Sequence, residues 1–222
     1  MQQTLMPQSM RKLYFLLLLF ALSNSVFADT VSDKEKDALI KIYQATNGRD
    51  WKIKWDLTSS VSTWFGVEIN NGQVVGLNLA DNNLKGELPS AIGDLRHLQT
   101  LALFNNEIKG NLPESVYEIP NLKILLLNNN KFSGSLSHKI ENFNSLVNLS
   151  LFDNNFEGEI PKELQNLQNL SEMNLSYNKF KGSVSKKLTL LDALNMTMLD
   201  ENGNPFLLDV TEEKDITNIT VN

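Results

Sequence analysis

An asparagine recurs at one fixed interval through the middle of this chain, without an insertion or deletion between copies. The five copies are Asn82, Asn106, Asn130, Asn154 and Asn178. Before each copy, large apolar residues stand at alternate positions, as Leu101 and Leu103 do before Asn106. A fixed period of this length predicts a solenoid, in which one small structural unit stacks on copies of itself around a lengthwise core.

Each unit has the same internal order. The alternating apolar residues predict a short strand, and strands of successive units pair in parallel about 4.8 Å apart. The Asn amide then satisfies backbone groups that the following turn leaves unpaired. An apolar residue follows two positions on, and Phe132, Phe156 and Phe180 at this position predict an aromatic stack. A glycine comes two positions later, where a Cβ would obstruct the backbone, and apolar residues three apart predict a tight helical turn on the return side.

The region before the repeats, residues 29–73, predicts an N-terminal cap. Ser32 and Glu35 form a capping box that predicts a helix start, and an Asn-Gly pair at 47–48 predicts the helix end. Tryptophans at 51, 55 and 64 then supply an aromatic cover for the first repeat, whose apolar flank has no neighbour. The Asn-Asn-Gly sequence at 70–72 predicts a hairpin turn.

The far end predicts a degenerate sixth unit that closes repeats spanning residues 74–208. Asn202 keeps the phase of the earlier asparagines, but the apolar and glycine positions that follow it are lost. Phe206, Leu207 and Leu208 are therefore expected to fold over the open end. Residues 209–222 are polar and acidic, and we expect this tail to fray.

The N-terminus predicts export. Arg11 and Lys12 precede an apolar run over 13–22, and Ala28 closes a small-residue cleavage site. The run is shorter than the roughly 20 residues that span a bilayer, so residues 1–28 are predicted to be a cleaved signal peptide, with an uncleaved anchor as the alternative. Met10 is a second possible start. The mature protein is expected in the medium or the cell envelope, without stable membrane insertion.

Charge and residue counts argue against several classes of function. The net charge is −6 and no basic face is visible, which disfavours nucleic-acid binding. The chain has no cysteine, and its two histidines, His97 and His138, lack partners at ligand spacing, so no metal or cofactor is predicted. Asp81 and Asp153 would lie about 14 Å apart, too far for glycoside hydrolysis. Because no catalytic grouping is apparent, we predict that the protein is not an enzyme.

The residues resemble a known family. The phrase L-x-x-L-x-L-x-x-N-x-L-x-G-x-(L/I)-P, which residues 98–113 fit throughout, resembles the plant-type 24-residue leucine-rich repeat. That class includes receptor-kinase ectodomains and inhibitors of secreted pectin-degrading enzymes. The N-terminal segment looks like the cap of cysteine-free secreted bacterial members, because the paired cap cysteines of the plant proteins are missing. The resemblance implies an α/β, β-rich right-handed solenoid, a horseshoe whose parallel β-sheet lines the concave side and binds ligand there.

Residues that alternate with the buried leucines should point out from the concave sheet. Apolar side chains at these positions predict a strip with a polar, acidic fringe, which suits recognition. The candidate ligand-binding residues are Phe104, Ile124, Leu126, Asn128, Phe152, Asp153 and Tyr177. Bulky residues there could equally serve to stiffen the sheet by side-by-side packing, so both interpretations stand at this stage.

The sequence therefore favours an exported, non-catalytic module that binds a protein, a peptide or a glycan on its concave face. One alternative is an inhibitor that docks on a secreted hydrolase. Another is a structural or assembly component of the cell envelope. The sequence defines neither the ligand nor the oligomeric state.

Overall fold

The structure, a computed structural model, describes residues 31–191 and 196–211. The predicted signal peptide, residues 1–28, lies outside these ranges, as do residues 212–222 of the predicted tail. Among the described helices, none combines the length and the apolar character that a membrane crossing requires.

The predicted capping box begins helix α1, Asp33–Ala45. The Ser32 hydroxyl accepts the Glu35 N–H and donates to the Glu35 carboxylate at 2.9 Å. Glu35 is buried, and its other carboxylate oxygen accepts the Val74 N–H at 3.1 Å. The residue that starts the helix thus also fastens it to the first repeat, because a buried carboxylate needs donors to offset its lost hydration.

The aromatic cover is a continuous chain of rings. Tyr43, Trp51, Trp55 and Trp64 are buried, with successive ring centroids 4.8 to 5.0 Å apart. Each indole N–H has a backbone acceptor, which for Trp51 is the Thr46 carbonyl at 2.9 Å. The cap therefore buries a large aromatic area while satisfying the polar atoms of its indoles.

Six strands of the described chain form the first sheet, which lines the concave side. They lie in the order β1 (Val67–Asn70), β2 (Gln73–Asn78), β4 (Thr100–Ala102), β6 (Ile124–Leu126), β8 (Asn148–Ser150) and β10 (Glu172–Asn174). The first pair is antiparallel and is joined by the predicted turn, with φ of 50° at Asn71 and 72° at Gly72. The other pairs are parallel and align equivalent residues of successive repeats, as Leu77 opposite Leu101 shows.

A second parallel sheet follows the turns, and the sequence did not predict it. Its described strands are β3 (Lys85–Glu87), β5 (Glu107–Asn111), β7 (Lys131–Gly134), β9 (Asn155–Glu159) and β11 (Lys179–Lys181). The repeat glycines lie in or next to these strands with positive φ, and a Cβ on Gly86 would lie 2.1 Å from the Ala45 carbonyl oxygen. Glycine is therefore required there by both conformation and close approach.

The return side consists of 3-10 helices, as the spacing of its apolar residues predicts. They span Ser90–Asp94, Glu114–Glu118, His138–Asn142 and Lys162–Asn166, and shorter 3-10 helices in the cap span Gly48–Asp50 and Val61–Thr63. Their apolar residues, such as Ile92 and Leu95, are buried in the shared core. The cross-section of one coil is thus a strand, a second strand and a 3-10 turn.

The phased asparagines form a buried ladder, as predicted. Asn130 donates to the carbonyls of Leu103 and Leu127 at 2.9 and 3.1 Å, and its side-chain oxygen accepts the Ile108 N–H at 3.0 Å. Asn106, Asn154 and Asn178 repeat these contacts in their own coils. At the N-terminal end, the side chain of Asn82 instead bonds both backbone groups of Ile53, so the cap completes the ladder.

The predicted aromatic stack is also present. The rings of Phe132 and Phe156 lie 6.0 Å apart with planes 5° from parallel, and those of Phe156 and Phe180 lie 6.2 Å apart at 1°. All three rings are fully buried. Equivalent side chains of successive coils are thus arranged in the core as regularly as the backbone is.

The sixth unit departs from prediction, because the hydrogen-bond register of the backbone slips there. In the earlier coils the N–H of the residue before each ladder Asn bonds a carbonyl of the next coil, as Asp153 does to Ser176. The same step from Tyr177 would reach Asp200, but the Tyr177 N–H bonds the Thr197 carbonyl instead. Asn202 is consequently exposed and lies outside the ladder, and its N–H donates to the Asp200 carboxylate. Asn202 therefore keeps the spacing of the repeat in the sequence, but the backbone hydrogen bonds of this unit do not keep the register of the earlier coils.

The C-terminal cover is also smaller than expected. The last described elements are β12 (Ser183–Ser185), α2 (Lys186–Thr189), β13 (Thr197–Leu199), β14 (Pro205–Leu207) and β15 (Asp209–Thr211). Because β14 pairs with β13 as an antiparallel hairpin, Leu208 is buried but Phe206 and Leu207 remain 36% and 63% exposed. The start of the predicted tail does not fray, since β15 pairs in parallel with β12.

Candidate ligand-binding face of the concave sheet

Strand alternation determines which side chains reach the concave face. The inward residues Leu77, Leu101, Leu125, Leu149 and Met173 are buried in the core. The residues on either side of each point outward, and the chain then adds two further outward positions before each ladder Asn. These positions form four rows across the parallel strands, each row with one residue per coil.

Five apolar side chains in these rows define what we term the apolar strip: Phe104, Ile124, Leu126, Phe152 and Tyr177. Tyr177 is exposed, at 37%, whereas the other four are partly buried. The sequence predicted exposure for all five, and neighbouring side chains on adjacent strands account for the difference because they cover part of each residue. The strip therefore presents a shallow surface of half-covered apolar groups.

The aromatic members of the strip are arranged with regular spacing. Phe152 and Tyr177 pack edge to face, with centroids 5.2 Å apart and planes at 65°. Phe104 and Phe152 hold equivalent positions two coils apart, about 10 Å at strand spacing, with the partly buried Asn128 between them. An apolar group of a ligand could thus lie between two rings over a central amide.

Tyr177 is also unusual in its backbone. It has a φ of 59°, in the left-handed region, where the equivalent residues of the other coils are Asp81, Asn105, Asn129 and Asp153. Asn and Asp are favoured in that region, but a bulky aromatic residue is uncommon there. The repeat geometry therefore explains four residues of this row and leaves the tyrosine unexplained.

A depression of about 410 Å³ opens at the C-terminal half of the sheet. Of the predicted site residues, Leu126 and Asn128 line it, together with Asn148, Ser150, Glu172, Asn174, Leu190 and Leu191. The other five predicted residues, Phe104, Ile124, Phe152, Asp153 and Tyr177, lie outside its lining. The structure thus divides the predicted site between the depression and the surface beside it.

Leu190 and Leu191 were missed by sequence reasoning. They precede the degenerate unit, and Leu190 is 80% exposed while the Leu191 carbonyl accepts the Met173 N–H. The available signal was the doubled leucine directly after α2, at the positions where the preceding coil has Asn166 and Leu167. These residues contribute an apolar wall at the C-terminal edge of the concave sheet.

The charged groups on the concave side are all acidic. Glu68 covers Gly76 at the N-terminal edge, and Asp81, Asp153 and Glu172 are exposed in the outward rows. Within residues 31–191 and 196–211, none of these four carboxylates makes an ion pair. Asp81 accepts the Asn105 amide at 3.0 Å and Glu172 accepts the Asn148 amide, so both bond neutral donors only.

Shifted pKa values are found in groups with structural partners on other surfaces. Hydrogen bonds from Lys131 and Lys85 on the second sheet hold the pKa of Glu107 below its usual value. Burial raises the pKa of Tyr117 to about 12, while the phenol oxygen accepts the Ser137 N–H. The described part of the chain brings together no group of three or more His, Asp or Glu side chains that could hold a metal ion. The concave face is thus a surface suited to contact, with no grouping suited to catalysis among its described residues.

Comparisons with known proteins agree with this architecture. A family model described as "Leucine-rich repeat region" matches residues 76–200. Over 91 residues the chain is 29% identical to Polygalacturonase inhibitor 1 of Arabidopsis thaliana, an alignment covering 39% of this chain and 28% of that protein. Over another 91-residue alignment it is 34% identical to the Leucine-rich repeat receptor protein kinase EMS1 of the same plant, covering 40% and 8%. The chain therefore spans less than a third of the length of these curated relatives.

Solved structures give the same architecture over more of the chain. The BIR2 ectodomain from Arabidopsis thaliana is 25% identical with a TM-score of 0.62, and the alignment covers 70% of this chain and 85% of that one. The BIR3–SERK2 complex from the same plant provides a match at 27% identity and a TM-score of 0.59, covering 69% and 86%. These relatives have plant-type repeats, as the sequence pattern predicts.

Proposed function

The chain belongs to the leucine-rich repeat family, and on that premise we propose that it is an exported recognition module that binds a protein, peptide or glycan on its concave sheet. The repeat region is non-catalytic, as in the inhibitors and receptor ectodomains to which it is similar. Binding would involve the apolar strip together with Asn128 and Asp153. The module would act outside the cytoplasm, in the medium or the cell envelope, after removal of residues 1–28.

The observation that carries this proposal is the apolar strip itself. The core side of each coil is already filled, with the inward leucines and the phenylalanine stack fully or nearly fully buried. The strip adds apolar area on the opposite side of the same sheet, where Tyr177 is 37% exposed. Partly exposed aromatic groups with a polar rim are typical of protein recognition surfaces.

Side-by-side packing between strands is the competing explanation of the strip, and the Phe152–Tyr177 contact fits it in part. That contact stabilises the sheet by about 1 kcal/mol. It does not require the exposed tyrosine to occupy a left-handed backbone position that Asn or Asp would fill at lower cost. We therefore favour recognition as the role of the strip.

The kind of partner is suggested by the relatives. The solved match with BIR3 is a complex with SERK2, which is a protein, and the curated matches include inhibitors of polygalacturonase. These similarities support a protein or peptide ligand. The cysteine-free cap of this chain, in which ring packing replaces paired cysteines, supports kinship with secreted bacterial repeat proteins.

The test is a double substitution, Phe104→Ser with Phe152→Ser, in the mature protein. We expect the variant to fold, with thermal unfolding that remains cooperative, and to lose its partner in pull-downs from extracellular medium and on a glycan array. Phe65→Ser is the matched control, because Phe65 is 42% exposed on the N-terminal cap. Retained binding by the folded double variant would refute the concave site, and loss of folding would favour the packing explanation.

A second candidate function is inhibition of a secreted hydrolase. The specific support is similarity to two polygalacturonase inhibitors, at 29% and 28% identity over about two fifths of the chain. The mature protein, titrated into a polygalacturonase assay, would then lower the rate of pectin cleavage, and the double variant would not. An unchanged rate at micromolar concentrations would remove this enzyme class from the candidates.

A further inference from the structure

We propose that the concave sheet selects a cationic peptide segment, in which a lysine or arginine lies about three positions from an apolar side chain. This inference rests on the proposed function and adds the chemistry of the ligand. Its basis is the charge of the surface, the free acceptors beside Asp153, and their distance from the apolar strip.

The two sheets differ in charge. The concave sheet carries Glu68, Asp81, Asp153 and Glu172 and, among its described outward positions, no lysine or arginine. The second sheet instead mixes both signs, because it exposes or half-exposes five lysines, Lys85, Lys109, Lys131, Lys179 and Lys181, and exposes four glutamates, Glu87, Glu107, Glu157 and Glu159. Lys123, which directly precedes β6, donates to the Gln99 side chain at 3.0 Å. A positively charged segment is therefore attracted to the uniformly acidic concave face, whereas the second sheet offers it neighbouring charges of both signs.

An oriented row of side-chain amides ends next to Asp153. Asn129 donates to the Asn105 side-chain oxygen at 2.5 Å, and Asn105 donates to Asp81 at 3.0 Å. Each amide in the row thus donates toward the N-terminal end. The side-chain oxygen of Asn129 consequently has no donor within the described residues, and the carboxylate of Asp153 in the next coil has none either.

These two acceptors favour a cation with several N–H donors. They belong to neighbouring strands of one row, so their backbones are about 4.8 Å apart. Phe152 adjoins Asp153 in sequence and packs on Tyr177, which puts aromatic rings beside the carboxylate. An arginine guanidinium could bond both oxygens and stack on a ring, and a lysine could do so with fewer contacts. An anionic ligand would find acceptors only.

The distance between the Phe104 end of the apolar strip and Asp153 determines how far apart the apolar and basic residues of the peptide should be. Phe104 lies two coils before Asp153, or about 10 Å along the sheet at strand spacing. An extended peptide advances about 3.3 Å per residue. An apolar residue seated by Phe104 and Leu126 is therefore about three positions from a base at Asp153. That pattern distinguishes the ligand from a merely basic polymer, which has no apolar residue for the strip.

The experiment uses two synthetic probes and the mature protein. Both are fluorescein-labelled peptides with a glycine–serine background and one phenylalanine, followed three positions on by arginine in one probe and by glutamate in the other. Anisotropy titrations should give at least about tenfold tighter binding of the arginine probe. Salt should weaken that binding, because part of it is electrostatic.

Asp153→Asn should reduce the affinity for the arginine probe about fivefold to tenfold and make it less sensitive to salt. Asp37→Asn is the matched control, since Asp37 is exposed on α1, away from the sheet. Equal affinity of the two probes, or an Asp153→Asn variant that binds like the control, would overturn the cationic preference.

An unbiased selection separates this failure from failure of the proposed function. Short random peptides, displayed on phage, are selected on the mature protein and counter-selected on the Phe104→Ser/Phe152→Ser variant. Strip-dependent peptides enriched in a base three positions from an apolar residue support the inference. Neutral or acidic strip-dependent peptides refute it and leave the concave site intact, whereas the absence of any strip-dependent peptide counts against both.

Discussion

Two rows of polar side chains run along the solenoid at adjacent sequence positions, yet they differ in almost every physical respect. The inner row is the ladder that includes Asn106 and Asn130, whose side chains are buried and bond backbone groups. The outer row includes Asn105 and Asn129, which are on the surface and bond other side chains. Identical residues at neighbouring positions thus serve different purposes according to what they contact.

The comparison shows where the repeat constrains the chain. At the inner position all five coils have asparagine, whose amide can donate two hydrogen bonds and accept another at once, as that of Asn130 does. At the outer position the coils have Asp81, Asn105, Asn129, Asp153 and Tyr177. Backbone conformation favours small polar residues there but does not require one residue. Variation among coils therefore indicates which side chains are free to be adapted to a ligand.

The largest expected contrast is between a phenylalanine of the core and a phenylalanine of the concave face. Phe156→Ala removes a fully buried ring from the stack and should lower the free energy of unfolding by about 4 kcal/mol. Phe152→Ala removes a partly buried ring from the concave face and should cost about 1 kcal/mol. Urea unfolding monitored by circular dichroism measures both. Equal losses would mean that Phe152 belongs to the core.

The next contrast tests the two amide rows directly. Asn130→Ala would leave the buried Ile108 N–H without its acceptor and would remove one of the two amide donors to the Leu103 carbonyl, at a cost of about 3 kcal/mol. Asn129→Ala should lower the free energy of unfolding by only about 1 kcal/mol, since its contact is at the surface and the loss comes mainly from placing alanine at a φ of 55°. Urea unfolding monitored by circular dichroism measures the free energy of unfolding of both variants. A large loss for Asn129→Ala would contradict the distinction drawn between the rows.

An ionisable group inside the core gives a smaller effect that depends on pH. Tyr117 is buried with its pKa raised to about 12, so the neutral phenol is favoured in the folded protein. Its contribution is fully present below pH 10 and is lost as the pH rises through about 12, by about 2 kcal/mol. Tyr117→Phe should therefore narrow the difference in stability between pH 9 and pH 12. Parallel pH profiles for the two proteins would contradict this.

The smallest effect is expected for a charge on the second sheet. Lys131 and Lys85 lower the pKa of Glu107, so its contribution is present above the usual value of 4.5 and is lost as the pH falls below it. The group is fully exposed and screened by solvent, so Glu107→Gln should unfold almost as the wild type does at pH 7. Any difference should vanish in acid and in high salt, which thermal unfolding at several pH values can check.

Much of the fold could be predicted because residues with the same structural role recur at the same position in several coils. The inner ladder, the stack of Phe132, Phe156 and Phe180, and the start of α1 at Ser32 are all confirmed. The second sheet could not be predicted, since sequences such as Lys85-Gly86-Glu87 lack apolar alternation and read as turns. Those strands form because the equivalent segment of each neighbouring coil lies alongside in register and pairs with them through backbone hydrogen bonds.

The candidate site was less predictable, for two reasons. Alternation tells which way Ile124 and Leu126 point but not how far neighbours cover them, so their partial burial was missed. The wall formed by Leu190 and Leu191 lies at the end of the sheet where the hydrogen-bond register changes, as the bond from Tyr177 to Thr197 shows. Asn202 keeps its phase in the sequence, and so the asparagine spacing alone does not reveal the slip.

The reach of the inner ladder has a consequence for how such a protein can grow. Each ladder side chain after Asn82 bonds only its own coil and the coil immediately before it, as Asn154 does through Leu151 and Leu127. Duplicating one repeat in the middle of the gene would therefore disturb neither terminus. Each duplication would lengthen the molecule by about 4.8 Å. Gene duplication could thus lengthen the concave face, and with it the ligand that the face can contact, by one strand spacing at a time.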